Sequence, residues 1–332
     1  LNELVFFINK VMISGAVIGS IYAMGAIGVT LIFSILRFAH FAHGDLMTTG
    51  AFLTFLLTAL FPHAGAAIGI PTAFLMMPIA MAITSLLAVG LDKAFYKPLR
   101  AHNVKPVVMV MASIGVTLML QGIIRIFFGT SSRNLFIDDR KEIFRLELPW
   151  ELASRKLVIT EPQLLLFLFT AIAVVALHYF LTRSRLGKAM RATSDNPDLA
   201  RISGINVDKV VIVTWVIAGS LATAAGTLLS LDVALKPDLS FQILLPIFAA
   251  AIVGGVGHPY GAIVGGFVVG FAETLSVFNW AILLRPLEKA MEWDLPNNLA
   301  LVPTEYKITV PFFILVAILV LKPTGILKGQ VL

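Results

Sequence analysis

The chain has 332 residues, 58% of them hydrophobic and only 13% charged, with a formal net charge of +6 and no cysteine. Its mean hydropathy is +0.92, whereas average soluble domains carry about 25% charged residues, so the composition excludes a soluble globular fold and describes an integral membrane protein. Disulfides and thiolate metal or redox sites are excluded as well, and the basic residues fall between apolar runs, which fits membrane orientation better than nucleic-acid binding.

The N-terminal stretch LNELVFFINKVM has no basic flank and no small-residue cleavage site, so no removable leader is expected. It also lacks an initiator Met, and the original start is expected to precede this numbering. Apolar runs of spanning or near-spanning length lie at about 11–35, 45–61, 71–92, 106–128, 161–181, 209–231, 241–256, 261–280 and 306–321. The expected fold is all-α: one polytopic helical membrane domain over 1–332, with eight or nine spans because several runs are short. Lys93, Lys97, Arg100 and Lys105, then Arg183 to Lys209, then Lys322 and Lys328 mark three segments as cytoplasmic, while 62–70 carries no charge. Nine crossings then put the N-terminus outside and the C-terminus inside, with 129–160 and 281–305 as external loops and 182–208 on the cytoplasmic face. The 129–160 loop is mixed in sign, with Asp138, Asp139, Glu142 and Glu147 among its basic residues.

The first span carries Gly15, Gly19 and Ala23 at four-residue spacing, the pattern that lets helix backbones approach closely inside a membrane. It is followed by Arg37-Phe38-Ala39-His40-Phe41-Ala42-His43-Gly44-Asp45, a break between spans. Asp45 reads either as the N-cap of the next span or, with His40, His43 and Gly44, as part of a substrate route; the histidines otherwise read as interfacial residues. A second break is expected at Gly257-His258-Pro259-Tyr260-Gly261, inside a glycine-rich stretch. Freed backbone survives there only where protein or a water-lined cavity satisfies it. The two breaks share a Gly-then-Gly-Ala ending, Gly44…Gly50-Ala51 and Gly257…Gly261-Ala262, a weak hint of internal repeats.

Between two spans lies the polar, basic stretch 183–207. Ser194-Asp195-Asn196-Pro197 puts cap-type side chains before a proline at the first helical position, and Gly204 suits the left-handed residue beyond a helix end. A two-turn helix from Pro197 to Ser203 is expected, too short to persist unless something packs on it. Leu199 and Ile202 offer the apolar face for that contact, either with the rest of the chain or with a soluble partner. Farther on, Glu288, Glu292 and Asp294 lie with Trp280 and Trp293 in 281–303, which reads as an interfacial amphipathic helix or a contact surface for an external solute receptor.

No catalytic constellation accompanies these features. Gly187-Lys188-Ala189 lacks the glycine spacing and Ser/Thr of a nucleotide-binding loop. His40 and His43 have no metal-ligating companions, and Gly255-Val256-Gly257 follows no strand that would make it a dinucleotide site. Glu273, Arg125 and Asp232 are candidate intramembrane charges, hence candidate functional groups or structural links between helices.

Several blocks, in order, resemble the permease subunits of branched-chain amino-acid ABC importers. They are Phe41-Ala42-His43-Gly44-Asp45; Met190-Arg191-Ala192-Thr193 with Asn196, Ala200 and Gly204-Ile205-Asn206-Val207; Val253-Gly254-Gly255-Val256-Gly257 with Gly261-Ala262; Gly270-Phe271-Ala272-Glu273; Thr304-Glu305-Tyr306-Lys307; and Lys322-Pro323-Thr324-Gly325-Ile326-Leu327. The resemblance implies a transport subunit without enzyme activity or cofactor, in the bacterial plasma (inner) membrane. Its implied partners are a second homologous permease, two cytoplasmic ATPase subunits, an external solute-binding protein and membrane lipid. It also makes Asn196, Pro197, Leu199, Ala200, Ile202 and Gly204 the ATPase-coupling helix. Urea, amides or another small organic solute are alternative cargoes, and an ion-coupled secondary transporter is the alternative class, disfavoured by the few intramembrane carboxylates.

The loop charges generate the first prediction. Cysteine placed at Asp195 in this cysteine-free chain should resist an impermeant thiol reagent in intact cells and react once the membrane is permeabilised.

Overall fold

All nine apolar runs become helices in the computed structural model, which describes residues 2–65, 69–137, 141–146, 155–285 and 296–327. Six are long and apolar enough to cross a membrane: α1 (Asn2–Leu36), α3 (Thr72–Ala101), α4 (Pro106–Phe128), α5 (Glu161–Arg183), α8 (Val207–Asp232) and α10 (Pro259–Val277). The intervening α2 (His43–Leu60) is also of spanning length, but its first turn, His43-Gly44-Asp45, dilutes its hydropathy. Two shorter apolar helices, α9 (Leu239–Gly254) and α11 (Thr309–Leu321), complete the set. Two elements have no counterpart in the sequence reading. One is a surface helix, α6 (Arg185–Asp195), ahead of the expected short helix α7 (Pro197–Ile202). The other is an antiparallel hairpin of β1 (Ile143–Leu146) and β2 (Leu157–Thr160) inside the 129–160 loop.

Helices α1 and α8 form the centre of the bundle and α5 lies at its edge, with Leu164, Leu168, Ile172 and Val175 exposed as a lipid-facing row. Close approach, rather than large interlocking side chains, joins the central helices, as expected where lipid is as apolar as leucine. Gly19 of α1 lies on Gly270 of α10, and Ala23 on Gly266. In the same way Gly50 of α2 meets Thr223 of α8, and Gly226 of α8 meets the Met47 backbone.

The two ends of the bundle differ in chemistry. At one end Lys97 pairs with Asp208 at 3.4 Å, Arg37 donates to the Ser194 carbonyl, and α6 adjoins residues 257–260. At the other end the 129–137 segment bridges to Leu235 through Arg133, Lys141 pairs with Asp232 at 3.3 Å, and Asn9 bonds Lys156 and Val158 of the hairpin segment. Trp280 packs edge-on against Phe278 at this end. Glu288, Glu292, Trp293 and Asp294, like Asp138, Asp139, Glu147 and Lys328, lie outside the described residues.

The second break follows the expected line. Helix α9 stops at Gly254, residues 255–258 turn with Gly255 and Gly257 at φ 108° and 87°, and Pro259 opens α10 as its first residue. The carbonyls of Val253 and Gly254, left free by the stop, accept from Ile326 N–H at 2.9 Å and Leu327 N–H at 3.2 Å. A Cβ on Gly261 would strike the Gly254 carbonyl, whereas one on Gly115 of α4 would meet open space. Gly261→Leu should therefore lower the yield of folded protein severely, by a loss of about 3 kcal/mol or more, and Gly115→Leu should leave it unchanged; size-exclusion yield and thermal unfolding in detergent read the difference.

Candidate functional site

The first break is built around aromatic and histidine side chains. Helix α1 ends as Arg37 turns left-handed, φ 58° and ψ 32°. The chain then folds back beside its own helix, so that the His43 ring occupies the space left by the missing side chain of Gly28. Roughly 12 Å of helix separate Gly28 from Leu36, so the start of α2 is set well below the helix end. His40 and His43 are fully buried, which corrects the interfacial reading. Asp45 is not an N-cap either: Ala42 holds that position, without a side-chain cap bond. Asp45 instead lies buried in the first turn of α2, beside Thr117 and Gln121 of α4. Gly44 lets that turn close on the Ser240 carbonyl and Leu244 of α9. The break's own backbone is partly satisfied by α4, where Phe41 N–H donates to Ser113 Oγ at 3.2 Å.

Two residues that carried no role in the sequence reading complete this cluster. His40 Nε2 lies 3.0 Å from the Tyr96 hydroxyl, and the Tyr96 ring stacks on Trp215 of α8 at 5.4 Å and 11°. Trp215 also meets His40 edge-on at 4.9 Å. Tyr96 ends a π-helical turn, Asp92–Tyr96, within α3. Such turns are wider than the α-helix and frequently mark functional positions. Here the turn is braced by Arg100, whose two terminal nitrogens donate to the buried Asp92 carboxylate at 2.7 and 3.0 Å. The only sequence signal for it was a charged pair eight residues apart, beyond the three- and four-residue spacing at which side chains on adjacent helical turns meet.

The short helix α7 is capped as its residues suggest. Asn196 Oδ1 accepts from the N–H groups of Asp198 at 3.1 Å and Leu199 at 3.0 Å, and Pro197 sits at the helix start. Gly204, at φ 82°, closes the other end: its N–H reaches the Arg201 carbonyl, and Ile205 N–H reaches Ala200, both at 3.0 Å. This is the paired 5→2 and 6→1 pattern that satisfies terminal carbonyls. Ala200 is buried against the chain, whereas Leu199 is 62% and Ile202 87% exposed. The apolar face thus points away from the protein. Preceding it, α6 is seated through Gly187, Met190 and Thr193, a buried row at three-residue spacing. Ser184 caps it by accepting from Gly187 N–H at 2.8 Å. That row and cap were legible in the sequence, but the basic residues between them read as loop.

Arg37 joins the first break to this surface by donating to the carbonyl of Ser194, at the junction of α6 and α7. The second break adjoins it across an open cavity of about 760 Å³, whose walls include Ser34, Lys188, Arg191, Gly257, His258 and Tyr260. His258 is exposed, Pro259 and Gly257 half-buried, and the Tyr260 hydroxyl lies 3.0 Å from His178 Nδ1. Glu273 stands apart, at the opposite end. Its carboxylate is buried and accepts from the Tyr22 hydroxyl at 2.8 Å, and Lys307 lies 3.4 Å from it. Of the other two candidate intramembrane charges, Arg125 is exposed and donates to Gln121 at 3.3 Å, and Asp232 pairs with Lys141 at the end of α8. No cluster of three or more metal-ligating side chains occurs among the described residues.

Apolar helices packed through glycine around two polar backbone breaks, with a capped surface helix at one end, define a multi-pass membrane permease. Residues 11–319 match the family described as "Branched-chain amino acid transport system / permease component". The chain is 30% identical to the high-affinity branched-chain amino acid transport system permease protein LivH of Salmonella typhimurium, over 98% of this chain and 97% of that protein. It is 29% identical to the corresponding permease protein BraD of Pseudomonas aeruginosa, over 95% of this chain and 94% of that protein. Among solved structures, PsaBC from Streptococcus pneumoniae in complex with Fab covers 96% of this chain and 92% of its own, at 14% identity and a TM-score of 0.46, a likeness too slight to argue from. The chain belongs to the branched-chain amino acid transport permease family.

Arg37 supplies a prediction about the link. Its positive φ suits glycine, so Arg37→Gly removes the guanidinium without straining the turn. Hydrogen exchange at 190–205 should then rise about tenfold or more, since a charged hydrogen bond contributes about 1.5 kcal/mol, while the unfolding temperature stays near that of the parent.

Proposed function

We propose that this chain is the membrane-spanning subunit of an ATP-driven importer of branched-chain amino acids, in a bacterial plasma membrane. An external solute-binding protein delivers the amino acid, a second homologous permease completes the pathway, and two ATPase subunits dock on the α7 end. The near full-length match to permeases named for this transport carries the reading. The distribution of charge supports the orientation. Lys93, Lys97, Arg100, Lys105, Arg183 to Lys209 and Lys322 belong to the end that bears α7, and basic short loops face the cytoplasm.

In this reading α7 transmits the motion of the ATPases. It is capped at both ends and too short to bend, and its outward Leu199 and Ile202 are the apolar contacts a partner would cover. Force on it passes directly to α8 and, through Ser194 and Arg37, to the first break. Asn196, Pro197, Ala200 and Gly204 hold the helix in place rather than meeting the partner. The breaks at His40, His43, Gly44 and Asp45 and at Gly257, His258, Pro259 and Gly261 border the route that opens. Uptake of radiolabelled leucine and, separately, of radiolabelled urea into vesicles holding the whole complex tests the cargo: urea uptake with no leucine uptake would move the chain to the small-amide carriers.

The coupling role has its own test. Leu199→Asp places an unpaired carboxylate in a contact that excludes water, a cost of several kcal/mol, yet the position is solvent-exposed in the isolated subunit. The variant should insert normally but lose the ATPase subunits on co-purification, or hydrolyse ATP without transport. Asp208→Asn breaks only an exposed ion pair with Lys97 and should do little, since such pairs contribute about 0–1 kcal/mol. Normal ATPase association and uptake in Leu199→Asp would overturn the assignment of α7.

A further inference from the structure

At the end of the bundle opposite α7 lies a cavity of about 520 Å³ between α1, α10 and the approach to α11. Phe6, Ile18, Val277, Phe278 and Ile282 make much of its lining apolar. Glu273 and Lys307, 3.4 Å apart, supply an acid and a base on the same cavity. The two are unequal: the Glu273 side chain is 4% exposed and Lys307 52%. The carboxylate is fixed by the Tyr22 hydroxyl at 2.8 Å, while the ammonium reaches it on a flexible stem from just before α11. Glu273 lies on the last turns of α10, which ends at Val277, so the carboxylate is buried near this end of the bundle.

A carboxylate buried among helices is retained against a substantial cost. Joining α1 to α10 does not require it, because Gly19, Ala23, Gly266 and Gly270 already close that contact. A structural ion pair also needs no cavity beside it. We infer that this cavity binds a free zwitterionic aliphatic amino acid; the inference rests on the amino-acid reading above and locates one site for it. The ammonium of the solute takes the place of Lys307 on Glu273, Lys307 turns to the solute's carboxylate, and the side chain lies on the apolar wall. One ion pair becomes two, while Lys10, which also lines the cavity, is exposed and keeps its charge in solvent. A solute with only one of the two charged groups would leave Glu273 or Lys307 opposed to nothing, which is a penalty against the wrong ligand.

The test uses the chain's lack of cysteine. Val277→Cys, or Thr274→Cys should the first assemble poorly, puts a single thiol in the cavity of the full permease–ATPase complex, without receptor, in nanodiscs. Millimolar leucine should slow its reaction with an aqueous maleimide about tenfold, while isoamylamine and 4-methylpentanoate, each lacking one charged group, slow it less than about twofold. Equal slowing by all three, or by none, overturns the site. The headgroup of phosphatidylethanolamine has the same paired charges, so discs with and without that lipid are compared. A labelling rate set by the lipid and not by leucine assigns the cavity to lipid and also overturns it. Leucine uptake by the parent complex in proteoliposomes separates the two levels: uptake without protection sinks this site alone, whereas absence of uptake sinks the amino-acid reading and the site together.

Discussion

A bilayer offers no hydrogen bonds, so every peptide group that leaves a helix inside it must be satisfied by protein or by a water-lined cavity. The architecture of this permease follows from how its two breaks meet that demand. At 255–258 the C-terminal segment supplies the donors: Ile326 and Leu327 cap the carbonyls of Val253 and Gly254, so the last described residues of the chain hold open a turn some seventy residues earlier. At 37–42 an acceptor comes from α4, where Ser113 Oγ takes the N–H of Phe41. Each break is thus tied to a distant element, which makes the breaks positions where relative motion of helices is felt.

Small residues set the second constraint. Where Gly19 meets Gly270 and Gly226 meets Met47, backbones approach so closely that neither helix can rotate without a clash. The π-helical turn of α3, like the π-helical stretch Ile8–Ile13 of α1, departs from regular α-helical winding in this frame. Its wider winding aims Tyr96 at Trp215 and His40, and the Asp92–Arg100 pair keeps it wound in that register. The first break, the π-turn and α8 therefore share one aromatic contact.

Charge is distributed by depth. Surface pairs such as Lys97–Asp208 and Arg201–Asp198 are exposed and contribute little. Glu273 is different, because a carboxylate buried among helices is held by both a hydroxyl and an ammonium. Arg37 performs a third task, carrying a positive side chain from the exposed turn at the end of α1 to the carbonyl of Ser194. The α6–α7 surface and the first break are therefore joined by one side chain, although more than 150 residues separate them in sequence.

Much of this was legible in the residues. Spanning runs are long and contiguous, so hydropathy alone located all nine apolar helices, and short-range rules located α7, since Asn196, Pro197 and Gly204 act on backbone groups within four residues of themselves. The second break was legible for the same reason: proline and glycine act locally. What the residues could not show was which distant side chain answers which demand. Asp45 has the chemistry of a cap, but the chain folds back at Arg37, and the start of α2 is buried against α4 instead of meeting water. Tyr96, Trp215 and Tyr22 are unremarkable in sequence because their partners lie on other helices. Their roles come from helix packing, and packing between membrane helices depends on close contacts among small residues whose partners no local pattern identifies.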